Sequence, residues 1–278
     1  MNNQTSLAQK PRVWEIDALR GFLTLGILLF HLYFTLDAFF VNGYYKNIDT
    51  SSFLSIMDPF GIFWAEGPNG KFYGNFLGQY FDFINHSGVN LFFIISGISC
   101  LFSRDNLRSG IRLLFGAAYV SFFTKLLALY TGEPRQFIRF GALHCYAACH
   151  LIYYFFLEER NDKTQLSVSV FSLLAGYYIK RRGFFSEYAL LVPFGIRENG
   201  VSMRDYWPIF PMLGWFLIGV LLGRRWYSEK KSRFPNIANK KWHIPLRFLG
   251  RNSGLIYCGH MVVYTVVFCG IGYIFDLY

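Results

Sequence analysis

Charged residues are scarce in this chain. Asp, Glu, Lys and Arg make up only 16% of its 278 residues, whereas 53% are hydrophobic and 21% are aromatic. So few charges leave too little polar surface to cover a globular protein of this size in water. The composition therefore excludes a typical soluble domain and favours an integral membrane protein.

The sequence also lacks the motifs that mark metal, redox and nucleotide sites. It has no HExxH, CxxC, P-loop or GxGxxG pattern, and we expect no bound metal. We interpret Cys100, Cys145, Cys149 and Cys258, which fall in apolar segments, as buried free thiols. The formal net charge of +10 does not indicate a nucleic-acid partner, because most lysines and arginines flank apolar runs, where they orient membrane helices.

Long apolar runs predict an all-α integral membrane protein, because a spanning helix needs about 20 mostly apolar residues. We predict a polytopic bundle of about seven transmembrane helices, with eight as the alternative. The runs cover residues 16–40, 80–102, 107–130, 137–157, 166–179, 207–223 and 253–275. The shorter stretches 52–64 and 188–196 are predicted to be re-entrant or interfacial pieces. Residues 1–11 are predicted to be a disordered tail, and residues 12–278 a single transmembrane domain.

Basic residues predict the orientation of the chain. Lys10 and Arg12 precede the first run, and the stretch 223–241 is dense in lysine and arginine. By the positive-inside rule, this distribution predicts a cytoplasmic N-terminus, although the basic run 180–182 then falls on the outer side. We expect a multi-pass protein of the plasma membrane. Two interpretations of 223–241 stay open: a cytoplasmic topology loop, or a site for the phosphates of a nucleotide-like donor.

One face of the first run carries three ionisable residues. At about 100° per residue, Arg20 and His31 point almost the same way, and Asp17 lies within about 40° of His31. Ionisable groups inside a membrane are costly and usually serve a function. We predict that His31, about 16 Å deeper than Arg20, is a general base. Arg20 is then suited to bind an anionic group or to pair with Asp17. The alternative is a histidine that only packs in the bundle.

Other polar residues fall in or near the apolar runs. His86 follows Asp82 by four residues, so the carboxylate can orient the imidazole, and His86 is a second candidate base. The alternative is an interfacial polar turn. His144 and His150 are six residues apart and point to different faces of one helix, so they do not form a shared metal site. His260 falls in the middle of the last run.

Five stretches, in order along the chain, resemble one known family. They are RVWEIDALRG at 12–21 continuing to His31, FFIISGISC at 92–100, RFGALHC at 139–145, DYWP at 205–208 continuing to GWF at 214–216, and RFLGRNS at 247–253 continuing to His260. Together they look like bacterial relatives of the heparan-alpha-glucosaminide N-acetyltransferase catalytic domain. Arg20, ten residues and then His31 also fit the Arg/Lys-x10-His pattern of the wider transmembrane acyltransferase superfamily.

The resemblance implies a membrane acyltransferase. It implies transfer of an acyl group, expected to be acetyl, from cytosolic acetyl-CoA to a glycan or glycolipid acceptor across the lipid bilayer. Carried over to this chain, the resemblance makes His31 the catalytic histidine and Arg20 its motif partner. With the other residues singled out above, we predict His31, Arg20, Asp17 and His86 for catalysis, His144, Asp205, His260 and Asp82 for substrate binding, and Arg20 and Arg251 for donor binding. Three points stay open: whether the acceptor atom is oxygen or nitrogen, whether His31 or His86 is the base, and whether the protein is a homodimer. A small proton-coupled transporter or flippase is the main alternative, followed by a structural partner in an envelope complex.

Overall fold

The computed structural model describes residues 13–36, 39–40, 45–49, 87–132, 134–201, 203, 205–238 and 240–278. This part of the chain is mostly helical. Its α-helices are α1 (Trp14–Leu36), α2 (Val89–Cys100), α3 (Asn106–Thr131), α4 (Ala142–Ile152), α5 (Asp162–Arg182), α6 (Ile209–Trp226), α7 (Ile244–Arg251) and α8 (Ser253–Ile274). The predicted tail 1–11, the stretch 52–64 and the beginning of the second run lie outside the described residues.

Short elements connect these helices. A π-helical turn, Tyr153–Leu157, continues α4, and two 3₁₀ helices cover Pro134–Gln136 and Ala189–Phe194. The second of these occupies the stretch that we expected to be re-entrant or interfacial. Strands β1 (Phe185–Ser186) and β2 (Arg197–Glu198) form a parallel pair, which departs from the all-α prediction over two residues on each side.

Four described helices are long and apolar enough to cross a bilayer. They cover Trp14–Tyr33, Asn106–Leu129, Ile209–Trp226 and Ser253–Ile274, and the shorter segments Val89–Cys100 and Ala142–Leu157 are also apolar. Large apolar side chains stand on the outside of these helices: Phe115 on α3 is 74% exposed, and Leu255 on α8 is 78% exposed. A soluble protein rarely exposes such extended apolar surface. The helical, membrane-embedded class is therefore confirmed, while the number of seven spans stays a prediction.

Helix α5 covers the fifth predicted run, residues 166–179, and is not among the four candidate spans. Asn161 caps its first turn by accepting a hydrogen bond from the Thr164 N–H (2.8 Å). The inward face carries small or polar residues, and Ser169 Oγ donates to the Gly214 carbonyl of α6 (2.9 Å). Leu174 on the other face is 64% exposed. Small polar residues between helices and apolar residues outside are typical of membrane helices.

The chain divides into two compact units. The first comprises Met1–Ile16 and Phe93–Lys241, and the second Asp17–Phe92 and Trp242–Tyr278. In the first unit α5 packs on α6 and α3 packs on α4. Helix α2 also approaches α6 backbone to backbone, since a Cβ at Gly97 would collide with the Phe216 carbonyl oxygen. Close approach of this kind needs glycine.

The second unit contains most of α1 together with α7 and α8. Phe39, Tyr45 and Phe268 form an apolar cluster at the C-terminal end of α1, and the Tyr45 hydroxyl donates to the Phe268 carbonyl. At the other end of α1 lies α7, a helix that none of the predicted apolar runs covers. Its eight residues are amphipathic and too few to give an apolar run, so a search for membrane spans passes over them.

Candidate functional site

Two histidines meet inside the second unit. His31 on α1 and His260 on α8 approach with 2.6 Å between His31 Nδ1 and His260 Nε2. Their ring planes are inclined by only 8°, and the ring centroids are 4.9 Å apart. Two five-membered rings have this separation when they meet edge to edge in nearly one plane, which directs an N–H of one ring at the nitrogen lone pair of the other. The contact is therefore a hydrogen bond between imidazoles.

The ring of His260 is also held from its other side. His260 Nδ1 lies 2.9 Å from the Tyr257 carbonyl oxygen and 3.1 Å from the Ile256 carbonyl oxygen, both in the preceding turn of α8. The residue is only 6% exposed, whereas His31 is half-buried. His260 is thus held at both of its ring nitrogens.

The polar end of α1 is joined to α7. Asp17 Oδ2 accepts a hydrogen bond from Arg251 Nε at 3.0 Å, forming an ion pair. Beside it, α1 and α7 touch through glycines: a Cβ at Gly21 would collide with the Leu246 carbonyl oxygen, and one at Gly250 with the Asp17 carbonyl oxygen. The sequence predicted that Asp17 could pair with Arg20; the guanidinium of Arg251, 234 positions away, is the partner described here.

Three arginines, Arg20 on α1 and Arg247 and Arg251 on α7, belong to the part of the second unit where α1 contacts α7. Arg20 is half-buried on α1, and its carbonyl accepts from Thr24 Oγ1 at 2.8 Å. Arg247 lies one turn before Arg251 on α7, and its Nε is buried with no hydrogen-bond partner among the described residues. We did not single out Arg247 from the sequence. Its spacing of four from Arg251 is the signal that could have found it, because residues four apart share one helix face.

His144 and Asp205 belong to the first unit, where they meet at the beginning of α4. Asp205 Oδ2 accepts from the Ala142 N–H (3.0 Å), and His144 Nδ1 accepts from the Gly141 N–H (3.2 Å). His144 Nε2 then donates to Ser121 Oγ (3.0 Å). These bonds satisfy N–H groups that a helix N-terminus otherwise leaves open. In the described structure both side chains act as helix caps.

The first unit also contains a cavity of about 280 Å³, whose wall includes Tyr206, the residue after Asp205. It is lined by Phe185, Arg197, Glu198, Gly200, Val201, Met203 and Tyr206. Burial raises the pKa of Tyr206 to about 12, and its hydroxyl donates to the Val192 carbonyl at 2.8 Å. The guanidinium of Arg197 lies 5.6 Å from the centre of the Tyr206 ring, a cation–π distance. The wall combines aromatic and charged groups.

A second polar cluster lies at the opposite ends of α3 and α4. His150 Nε2 lies 3.2 Å from Ser96 Oγ, and Asn106 Nδ2 donates to Glu158 Oε1 at 2.7 Å. His150 and Asn106 are both buried. Hydrogen bonds of this kind join helices where no water is available, so we interpret His150 as structural.

The remaining predicted residues, Asp82 and His86, lie outside the described part of the chain. His31, His260, Asp17, Arg20 and Arg251 all belong to the second unit, and His144 and Asp205 to the first. Within the described residues, no group of three or more His, Cys, Asp or Glu side chains could hold a metal ion.

Comparison with known proteins gives one match. No curated protein and no solved structure matches the chain. The sequence model described as "Heparan-alpha-glucosaminide N-acetyltransferase, catalytic" matches residues 69–262. The matched range includes Arg251 and His260 and begins after His31. Because it covers well over half of the sequence, the chain belongs to the family of the heparan-alpha-glucosaminide N-acetyltransferase catalytic domain, which indicates an acetyltransferase-type function.

Proposed function

We propose that this protein transfers an acetyl group from cytosolic acetyl-CoA to a hydroxyl or amine of a glycan or glycolipid, with His31 as the general base. The observation that carries the proposal is the bond between His31 and His260. It orients one imidazole and leaves a second ring nitrogen of His31 for proton transfer. Family membership supplies the reaction class.

His31 serves the reaction by moving one proton. As the acceptor oxygen or nitrogen attacks the thioester carbonyl, His31 Nε2 takes the proton of the nucleophile. The carbon–sulfur bond then breaks, and His31 returns that proton to the leaving thiolate. Base catalysis of this kind contributes about 10²–10⁴-fold to the rate. His86, which follows Asp82 by four residues in the sequence, stays a second proposed base.

The arginines of the second unit are the proposed contacts of the donor phosphates. They are Arg20, Arg247 and Arg251, and Asp17 forms an ion pair with Arg251. Guanidinium groups match the geometry of phosphate oxygens. With the N-terminus in the cytoplasm of a plasma-membrane protein, this end of α1 faces the compartment that holds the donor.

For the acceptor we propose the region of His144 and Asp205. Asp205 precedes Tyr206, which lines the 280 Å³ cavity. Sugars commonly pack on aromatic rings and hydrogen-bond to charged side chains, and this wall offers both. In this proposal the cap formed by Asp205 and His144 supports the cavity wall. His260, which we predicted to bind the substrate, is proposed here to orient His31 instead.

The test uses the full chain purified in lipid nanodiscs. Radiolabelled acetyl-CoA is offered with glucosamine, N-acetylglucosamine and a glucosamine-containing glycolipid, and labelled products are identified by mass spectrometry. We expect a labelled product with at least one acceptor and a higher melting temperature in coenzyme A, since a ligand of the native state raises its stability. Absence of both effects would contradict the proposal. Acceptor uptake by proteoliposomes without a donor would favour the transporter alternative.

A further inference from the structure

A histidine that acts as a general base has to hold its proton on one particular ring nitrogen. In many sites a carboxylate or backbone carbonyl fixes that tautomer by accepting from Nδ1–H. The ring contact described here for His31 Nδ1 is instead with a second imidazole, that of His260. An imidazole is either donor or acceptor at a given nitrogen, so the state of His31 depends on the state of His260.

The backbone of α8 decides the state of His260. Its Nδ1 faces two carbonyl oxygens, those of Ile256 and Tyr257, at 3.1 and 2.9 Å. Carbonyl oxygens only accept, so Nδ1 carries a proton and donates it. A neutral imidazole has one N–H, and a charged one is costly inside a membrane helix. His260 Nε2 therefore presents a lone pair to His31.

The proton between the two rings then belongs to His31. At 2.6 Å the two nitrogens are in hydrogen-bond contact, and with a lone pair on His260 Nε2 the donor is His31 Nδ1–H. In the opposite tautomer of His31, the lone pair of Nδ1 would face the lone pair of His260 Nε2 at 2.6 Å, which is repulsive. The nearly coplanar rings direct the N–H along the acceptor lone pair.

We propose that His260 is a positioning residue that holds His31 in the Nδ1–H tautomer and so makes Nε2 the basic nitrogen. The inference rests on the proposed role of His31 in acyl transfer. During transfer, His31 becomes protonated while its Nδ1–H bond to His260 stays in place, and this charge-assisted bond stabilises the imidazolium. A neutral partner does this without adding a carboxylate to the membrane interior.

The direct test is the tautomer itself, which can be read without any activity. Protein labelled with ¹⁵N-histidine in nanodiscs is studied by solid-state NMR, with His31→Gln and His260→Gln samples to assign the signals. We expect a protonated His31 Nδ1, an unprotonated His31 Nε2, and a scalar coupling between His31 Nδ1 and His260 Nε2 across the hydrogen bond. A His31 ring protonated on Nε2, or no such coupling, overturns the inference and leaves the proposed acyl transfer standing.

The functional test compares two substitutions at one position. In His260→Gln, the amide oxygen can accept from His31 at the place of Nε2, whereas His260→Leu offers no acceptor. We expect His260→Leu to lower kcat about 10–100-fold, in the range of other orienting groups, with the KM for the acceptor nearly unchanged, and His260→Gln to recover most of the loss. Tyr264→Phe is the matched control, because it removes a different bond between α8 and α1, from the Tyr264 hydroxyl to the Leu28 carbonyl. Full activity in His260→Leu, or equal losses in the Gln and Leu variants, overturns the inference.

Discussion

His31 and His260 are 229 positions apart in the sequence, yet their ring nitrogens lie 2.6 Å apart. The first and the last long helices of the described chain therefore contribute to one hydrogen bond. Because α7 connects to α8 directly and packs on α1 through glycines, the geometry of the histidine pair depends on that helix crossing. Changes at the crossing are accordingly expected to act on both stability and activity.

The glycine contact between α1 and α7 gives the first prediction. In Gly21→Ala or Gly250→Ala, the new methyl group meets a backbone carbonyl, which cannot rotate away as a side chain can. Overpacking of this kind costs about 1–3 kcal/mol or more. We expect a lower melting temperature and reduced activity, measured by thermal unfolding and acyl transfer in nanodiscs.

Gly259→Ala on α8 is the control for this prediction. A Cβ at Gly259 meets no described atom within 4 Å, so the added methyl group is accommodated. In a helix interior this change is expected to be neutral or to stabilise the protein by about 0.5–1 kcal/mol. Equal melting temperatures for Gly21→Ala, Gly250→Ala and Gly259→Ala would contradict the close contact.

The Asp17–Arg251 ion pair gives a second prediction, on donor binding. The side chains are 16% and 36% exposed, so the pair is expected to contribute no more than about 1 kcal/mol to folding. Arg251→Gln and Arg247→Gln are expected to weaken coenzyme A binding several-fold, because each removes a cation. Asp17→Asn is expected to leave binding unchanged or to strengthen it. Isothermal titration calorimetry measures all three, and a large loss of affinity in Asp17→Asn alone would contradict the assignment.

The cap at the beginning of α4 gives a third prediction. Asp205 accepts from the Ala142 N–H, and loss of a capping side chain costs about 0.5–2 kcal/mol. We expect Asp205→Ala to lower the stability by about 1 kcal/mol and Asp205→Asn, which keeps an acceptor oxygen, to lower it much less. Thermal unfolding of the wild type and the two variants measures these differences in stability. If Asp205 also contacts the acceptor through its charge, Asp205→Asn raises the acceptor KM at unchanged stability.

Local periodicity predicted much of what the structure describes. The bounds of α3 and α8 differ from the predicted runs by at most one residue at each end, because uninterrupted apolar residues define such helices. The common face of Asp17, Arg20 and His31 follows from helix geometry alone. Helix α7 escaped prediction because it is short and amphipathic, and α4 begins at Ala142 because the residues before it form its cap.

Side-chain contacts between residues that are distant in the sequence could not be predicted. Spacing within one helix cannot reveal that His260 contacts His31 or that Arg251 contacts Asp17, since both contacts join opposite ends of the chain. The substrate-binding role of His144 and Asp205 stays a prediction, and the structure adds that both side chains cap α4, which their positions in the sequence did not reveal. A glycine followed three residues later by a polar side chain was the available signal for that cap.

The role of His31 is tested most directly by the turnover number of the His31→Ala protein in nanodiscs. The account predicts that this variant keeps the melting temperature of the wild type within a few degrees and still binds coenzyme A. Its kcat for acetyl transfer is expected to fall by about 10²–10⁴-fold, the contribution of a general base. A folded His31→Ala protein that transfers acetyl groups at the wild-type rate would contradict it.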